Sequence, residues 1–391
     1  MKVLTLFLAP LLCFGAEFSE VFQKAVLKSP LLRAKQEKIL ASHEAIRGEA
    51  VYKNPVISIG ANDLLLNENF LKRDVESMQT LFIGISQEFE TFGKLEIKEA
   101  ILRADTLILE YELEDLKLDL YKKMALAVEK VATFSTLLDS LEQKKANLEI
   151  LQNYYESSID TEDGFKKSVL LQKDIFLVED RILELQESVQ KAKNEFKYLA
   201  NQDFIDVQKV QISEEFAKEE IEKSPKYKIL ELKSKQLEII TKLEQRSKYS
   251  NITLSASYNY REKFDDYLSV STSFALPIYG TEDAKVRKTR YLKQESLQNT
   301  QNYLQNSIMV FDNNHERVEH LSKRVQNLDA IIKRYRELRE YENANIKNSI
   351  TLEKNIENEN LLLDLEIERL KYKLEIKTAL LELFYITKES I

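Results

Sequence analysis

Lys94 to Asp163 is a run of seventy residues without a glycine or a proline. As an α-helix rising ~1.5 Å per residue it would form a rod of roughly 105 Å, longer than one globular core can enclose. Within it Leu113, Leu120, Ala127, Phe134, Leu141, Leu148 and Tyr155 recur every seventh residue, and Met124, Val131 and Leu138 add a second apolar row four positions on. That spacing is the seam of a coiled coil. The 111 residues after Gly280 also lack glycine and proline, and Leu297, Leu304, Phe311, Val318, Val325 and Ile332 again step by seven. The chain builds its longest element twice.

Seven glycines, five prolines and 31% charged residues in 391 fit long paired helices with wet outer faces better than a compact α/β enzyme. The net charge of −8 comes with no basic stripe to neutralise phosphates, which argues against a nucleic-acid partner. Residues 1–16 read as a secretory signal, with Lys2 as the positive start, Val3 to Phe14 as the apolar stretch and Phe14-Gly15-Ala16 as the exit. That stretch is shorter than the about 20 residues a membrane-spanning helix needs. The sole cysteine, Cys13, lies inside it behind Leu12, which is not the small residue that lipid attachment requires. No cofactor and no metal are expected. His315 and His320 stand five apart rather than four, and no nucleophile elbow, phosphate-binding loop or zinc signature is present. The expectation is a protein that is not an enzyme.

Four short stretches follow a different rule. Ile57, Ile59 and Ala61 alternate with Ser58, Gly60 and Asn62, and Leu81, Ile83, Ile85 and Phe89 with Phe82, Gly84, Ser86 and Glu88. In the second half Ile252, Leu254, Ala256, Tyr258 and Tyr260 alternate with Thr253, Ser255, Ser257 and Asn259. Leu268, Val270, Phe274 and Leu276 alternate with Tyr267, Ser269, Ser271, Ser273 and Ala275. Period-two alternation predicts strands with one apolar and one hydroxyl-lined face. A soluble sheet does the same, but outer-membrane strands place such faces toward lipid and lumen. Lipid tolerates no open sheet edge, and bacterial barrels need at least about eight strands. Four strands per chain then require at least two copies, and the sequence leaves two and three open.

The two halves repeat one plan. Residues 17–202 hold a helix, strands at about 55–66 and 78–90, a long helix 94–156 and a return helix 165–200. Residues 203–216 read as an irregular connecting segment, and 217–391 hold a helix, strands at about 251–260 and 267–277, a long helix 281–342 and a return helix 351–387. Ser29-Pro30 matches Ser224-Pro225, each read as a serine cap followed by a first-turn proline. Gly93 matches Gly280, Tyr155 matches Tyr341, and a solvated loop is expected at Leu64 to Ser77. Gly93, Pro277 and Gly280 are read as the breakers that end each second strand, and Glu99 and Asp105 as acids near the start of the first rod.

In this order of elements the chain resembles the TolC-like outer-membrane factors, exit ducts of bacterial efflux pumps and type I secretion systems. The phrase Phe274-Ala275-Leu276-Pro277-Ile278-Tyr279-Gly280 resembles that family's strand-ending turn, and Glu375-Ile376-Lys377-Thr378-Ala379-Leu380 its closing helix. At the rod turns, where the family often has Tyr-x-x-Gly, this chain has Ser158 after Tyr155 and Ala344 after Tyr341.

The resemblance implies a mainly α fold with a membrane β-barrel part. A homotrimer would close twelve strands in outer-membrane lipid and continue them as a periplasmic α-helical barrel with coiled-coil tips. It implies a passive outer-membrane channel with two partners, a periplasmic adaptor and an inner-membrane transporter of RND or ABC type, and a gate at the helix turns. Candidates there are Tyr155, Ser158, Asp160, Asp163, Tyr341 and Ala344. Rings of Asp160, Glu162 and Asp163 would attract cations, although a solvated charged turn carries the same residues. Alternatives are the outer-membrane component of a type I secretion system or, from another class, a secreted structural coiled-coil protein. Metals, drugs and secreted proteins suit the sequence equally as cargo.

Overall fold

The computed structural model describes residues 17–64, 66, 74–157, 162–205, 210, 212, 215–344 and 349–390. The stretch 1–16 read as a secretory signal lies outside them, as does about half of the connecting segment 203–216. In chain order the elements are α1 (Phe18–Lys28), α2 (Pro30–Glu49), β1 (Val56–Asn62), β2 (Thr80–Phe89), α3 (Lys94–Glu156) and α4 (Glu162–Ala200). After a 3₁₀ turn at Lys218–Lys223 come α5 (Pro225–Arg246), β3 (Ile252–Tyr260), β4 (Tyr267–Ser273), α6 (Thr281–Ala344) and α7 (Ser349–Thr387).

The breaks between elements have local causes. Ser29 Oγ accepts from the Leu32 amide at 3.4 Å, and Pro30 opens α2 where no amide donor is needed. The equivalent Ser224 donates its hydroxyl back to Ile221 O at 2.7 Å, closing the 3₁₀ turn before Pro225. Gly93 and Gly280 have φ of +70° and +69°, and their carbonyls accept the first helical bonds, from Ile97 and Ala284, each at 3.2 Å. Only glycine takes that backbone without strain. Phe92 shares the positive φ, at 58°. The acid in the first turn of α3 is Glu96, rather than the Glu99 and Asp105 read from the sequence. Glu99 holds Arg103 at 2.6 Å, and Asp105 accepts from Gln236 at 2.5 Å.

The chain divides into two compact units. One contains residues 35–112 and 226–303 and carries the strands, which form one antiparallel sheet in the order β1-β2-β3-β4. The two hairpins therefore join through β2 and β3, whose register pairs Gly84 with Ser257 and Phe89 with Ile252. β1 and β4 are shorter than the spans 55–66 and 267–277. β4 gives way before Pro277, which lacks a ladder donor, and Ile278 N bonds Leu276 O at 3.0 Å in a tight turn instead. Beside the sheet, Ser42 and Thr106 hydrogen-bond between α2 and α3, and Ser234 and Ser296 at 2.8 Å between α5 and α6.

The second unit contains the remaining described residues and is all helical. Its largest core sets Phe18, Val21, Phe22 and Ala25 of α1 on Leu120, Met124, Ala127 and Val128 of α3, with Phe196 of α4 and Leu381 of α7. Tyr121 meets Phe18 and Phe22 edge-on, each with ring centroids 5.2 Å apart. The seams then run α4–α3 and α7–α6. Leu141 and Leu148 pack on Ile175, Val178 and Ile182 in the first, and Leu328 and Ile332 on Leu362 in the second. Lys144 and Asp364, 2.6 Å apart, tie α3 to α7, so the helices lie side by side as α4-α3-α7-α6.

Candidate functional site

The sheet sorts its side chains by face. Cross-strand neighbours Ile59, Ile83, Tyr258 and Leu268 make one row, and Ile57, Ile85, Ala256 and Val270 the next. The opposite face carries the row Ser58, Gly84, Ser257, Ser269 and the row Val56, Ser86, Ser255, Ser271. In a soluble sheet the apolar face would be covered by another layer. Here Ile59 is 79% and Val270 71% exposed, and Ile57, Ile83, Ile85 and Leu268 are exposed with them.

Among the described residues the outer strands β1 and β4 each have one neighbour, so each leaves a row of backbone donors and acceptors without a strand partner there. Among the described residues no helix is long and apolar enough to cross a membrane.

The hairpin ends are ordered by side chains that periodicity does not flag. Gln79 is fully buried. Its Oε1 accepts from the Val75 and Glu76 amides at 3.2 and 3.1 Å, and its Nε2 donates to Asp63 O at 3.3 Å. Lys263 holds Asp74 at 2.6 Å, and the Arg261 guanidinium lies 5.1 Å from the Tyr267 ring centroid.

At the other end of the sheet the strands meet the helices through a charged cluster. Lys94, first residue of α3, is buried and donates to Asn251 Oδ1 at 2.8 Å and to Tyr249 O. Burial pushes its ammonium below the usual lysine range. Asn251 Nδ2 donates to Glu88 Oε1 at 2.7 Å, Lys53 holds Glu88 at 2.7 Å, and Lys98 pairs with Glu90. Phe92 and Tyr249 pack with ring centroids 4.5 Å apart. The spacing of these residues, about 155 positions apart in sequence for Lys94 and Tyr249, hides the cluster from sequence reading.

At the first rod turn, Tyr155 is buried at the end of α3. Lys167 of α4 donates to Tyr155 Oη at 3.0 Å and to Glu353 Oε1 of α7 at 3.1 Å, so three helices meet in one network. Hydrogen bonding to Tyr155 and then Glu353 raises the Lys167 ammonium above the usual lysine range, and hydrogen bonds from Tyr155 and Lys167 hold Glu353 below the usual carboxylate range. Lys167 and Glu353 were missed because a lysine and a glutamate on charged helices look like ordinary solvated residues. Ser158 and Asp160 lie outside the described residues. Asp163 falls in the first turn of α4, Ala344 ends α6, and Tyr341 is exposed on α6. Among the described residues, Tyr155 is joined to Lys167 and Glu353. Among the described residues, no group of three or more His, Cys, Asp or Glu is placed to hold a metal ion.

No protein-family description and no curated protein sequence matches this chain. Solved structures do. The open state of the Neisseria gonorrhoeae MtrE outer membrane channel superposes with a TM-score of 0.76 at 14% identity, over 95% of this chain and 89% of that one. The Vibrio cholerae outer membrane protein VceC gives 0.69 at 15%, over 93% and 95%. The Campylobacter jejuni CmeC outer membrane channel gives 0.70 at 11%, over 95% and 86%. The resemblance to TolC-like outer-membrane factors thus holds for the fold over 93% or more of the chain.

Proposed function

We propose that this protein, whose fold is that of the TolC-like outer-membrane factors, is the outer-membrane exit duct of a tripartite efflux system. The observation that carries the reading is the four-stranded sheet with an uncovered apolar face, a hydroxyl-lined face and two unpaired edges. Hydrocarbon suits the first face, a water-filled lumen the second, and only neighbouring copies can satisfy the edges. Three copies make twelve strands. The matched structures named as outer membrane channels support a placement in the outer membrane.

The helical unit supplies a second argument for assembly. Val169, Phe176 and Leu183 repeat every seven residues on α4 and are exposed, beside a different stripe already used in the α3 seam. As an edge helix of the layer, α4 packs that stripe against the next copy. The duct is passive. An inner-membrane transporter drives it through a periplasmic adaptor that engages the helix turns, and the gate, with Tyr155, Asp160 and Asp163, opens as the rods untwist.

The test is extraction of the protein from outer membranes in detergent. A heat-modifiable, trimer-sized band and ion conductance in planar bilayers are expected. A monomer that stays soluble without detergent overturns the reading.

A further inference from the structure

Within the sheet-bearing unit, a cavity of about 650 Å³ lies where the strands meet α3 and α6. It opens on the hydroxyl-lined face of the sheet, where Thr253 and Ser273 contribute to its wall. Two features distinguish it from a solvated crevice. The Glu90 side chain is only 6% exposed; its Oε1 binds Lys98, but its Oε2 is buried with no hydrogen-bond partner among the described residues. Glu282 Oε2, in the first turn of α6, likewise has no partner among the described residues, while the Glu282 carboxylate is held by its own amide and by the Thr281 hydroxyl. A buried carboxylate oxygen left unpaired costs free energy comparable to a lost hydrogen bond or more.

We propose that this cavity is a binding site for a primary alkylammonium or guanidinium group carried on an apolar body. The donors already present cannot serve the two oxygens, because Lys94 is committed to Asn251 and Tyr249 and Lys98 to Glu90 Oε1. Glu88 is paired with Lys53 at 2.7 Å and Glu90 Oε1 with Lys98, so the acceptor left open on this wall is Glu90 Oε2, with the Glu282 carboxylate also lining the cavity. An anion would meet the unpaired oxygens and is rejected. The remaining wall includes Leu243, Phe274 and Leu276, which suit an apolar flank. The inference rests on the duct reading for its meaning, since it makes this cavity a stop for cationic cargo on the lumen wall.

The experiment uses the purified, assembled protein and dansylcadaverine, a primary ammonium on an aromatic body, with neutral dansylamide as the control probe. Saturable fluorescence enhancement at one site per chain, displaced by butylammonium, is expected. Glu90→Gln and Glu282→Gln should each weaken it tenfold or more, while Glu389→Gln, remote in sequence and exposed, should not. Equal binding by the wild type and both variants, or equal binding of dansylamide, overturns the site. Should Glu90→Gln fail to assemble, Glu282→Gln decides alone. Because the probe is scored on protein that has already migrated as a trimer and conducted ions, a negative result removes the site and leaves the duct reading standing.

Discussion

Lys167 and Tyr155 meet across the first rod turn. The ammonium donates to the phenolic oxygen at 3.0 Å, lies 4.8 Å from the ring centroid, and reaches Glu353 on a third helix with the same nitrogen. One side chain thereby ties the end of α3 to the starts of both return helices.

On the proposed duct reading, in which the rods splay to open, this tie would oppose opening. Lys167→Met and Glu353→Gln should each increase the open fraction in planar bilayers several-fold without changing the amount of trimer. Open fractions equal to the wild type would remove this network from gating.

The same network sets a pH window. Glu353 titrates below its ordinary value in the folded protein, chiefly because Tyr155 hydrogen-bonds its ionised form. Its contribution is complete above the unfolded value of about 4.3 and disappears as pH falls through the lower folded value. Lys167 titrates above its ordinary value, so its contribution is complete below that value and is lost only as pH rises through the raised one. Open fraction should be flat from about pH 6 to 9, between the two ordinary values, and rise under acid. The Glu353→Gln variant should lack the acid rise.

Neighbouring residues on β4 test the two faces. Val270 and Ser271 are both exposed in the single chain but belong to opposite faces. Val270→Arg should cost about 2–4 kcal/mol if it sits near the membrane midplane and reduce the heat-modifiable band. Ser271→Arg, on the hydroxyl-lined face proposed to border the lumen, should assemble normally. Equal losses would refute the assignment.

Glycine substitutions should separate by backbone angle. Gly280 has φ +69° with open space where a Cβ would stand, so Gly280→Ala should destabilise by about 1–2 kcal/mol through conformation alone. Gly48, in helix α2 with nothing within 4 Å, should do the opposite: Gly48→Ala gains about 0.5–1 kcal/mol. Thermal unfolding followed by circular dichroism would rank the two against the wild type.

On the sheet, a Cβ at Gly60 would come within 2.7 Å of Phe82 Cε1. Gly60→Ala should therefore lower the melting temperature, and adding Phe82→Leu should recover part of the loss. Simple additivity of the two changes would show that the ring moves aside freely.

Much of this architecture is readable along the chain because it is local. A heptad stripe such as Leu141, Leu148 and Tyr155 buries itself on whichever helix returns beside it, and those three residues are buried in the structure. The three-and-four spacing of Ile175, Val178 and Ile182, continued seven residues on by Val189, has the same outcome on α4. Period two likewise gives each strand its greasy and hydroxyl faces without reference to any partner. The candidate gate was less legible. A heptad position marks Tyr155, but nothing in the spacing marks Lys167 and Glu353, 186 residues apart.

What the sequence by itself determined was the set of elements: where rods run uninterrupted, where Gly93, Pro277 and Gly280 break them, and which side of each strand is apolar. These follow from backbone propensity and side-chain periodicity, which act over a few residues. Only the tertiary structure decided that β2 pairs with β3 to fuse the two hairpins, that Lys94 is buried against Tyr249 and Asn251, and that Glu90 turns an unpaired oxygen into a cavity. Those choices depend on register and desolvation between segments more than 150 residues apart, where burial and hydrogen-bond satisfaction across the whole unit select one pairing from many with the same local pattern.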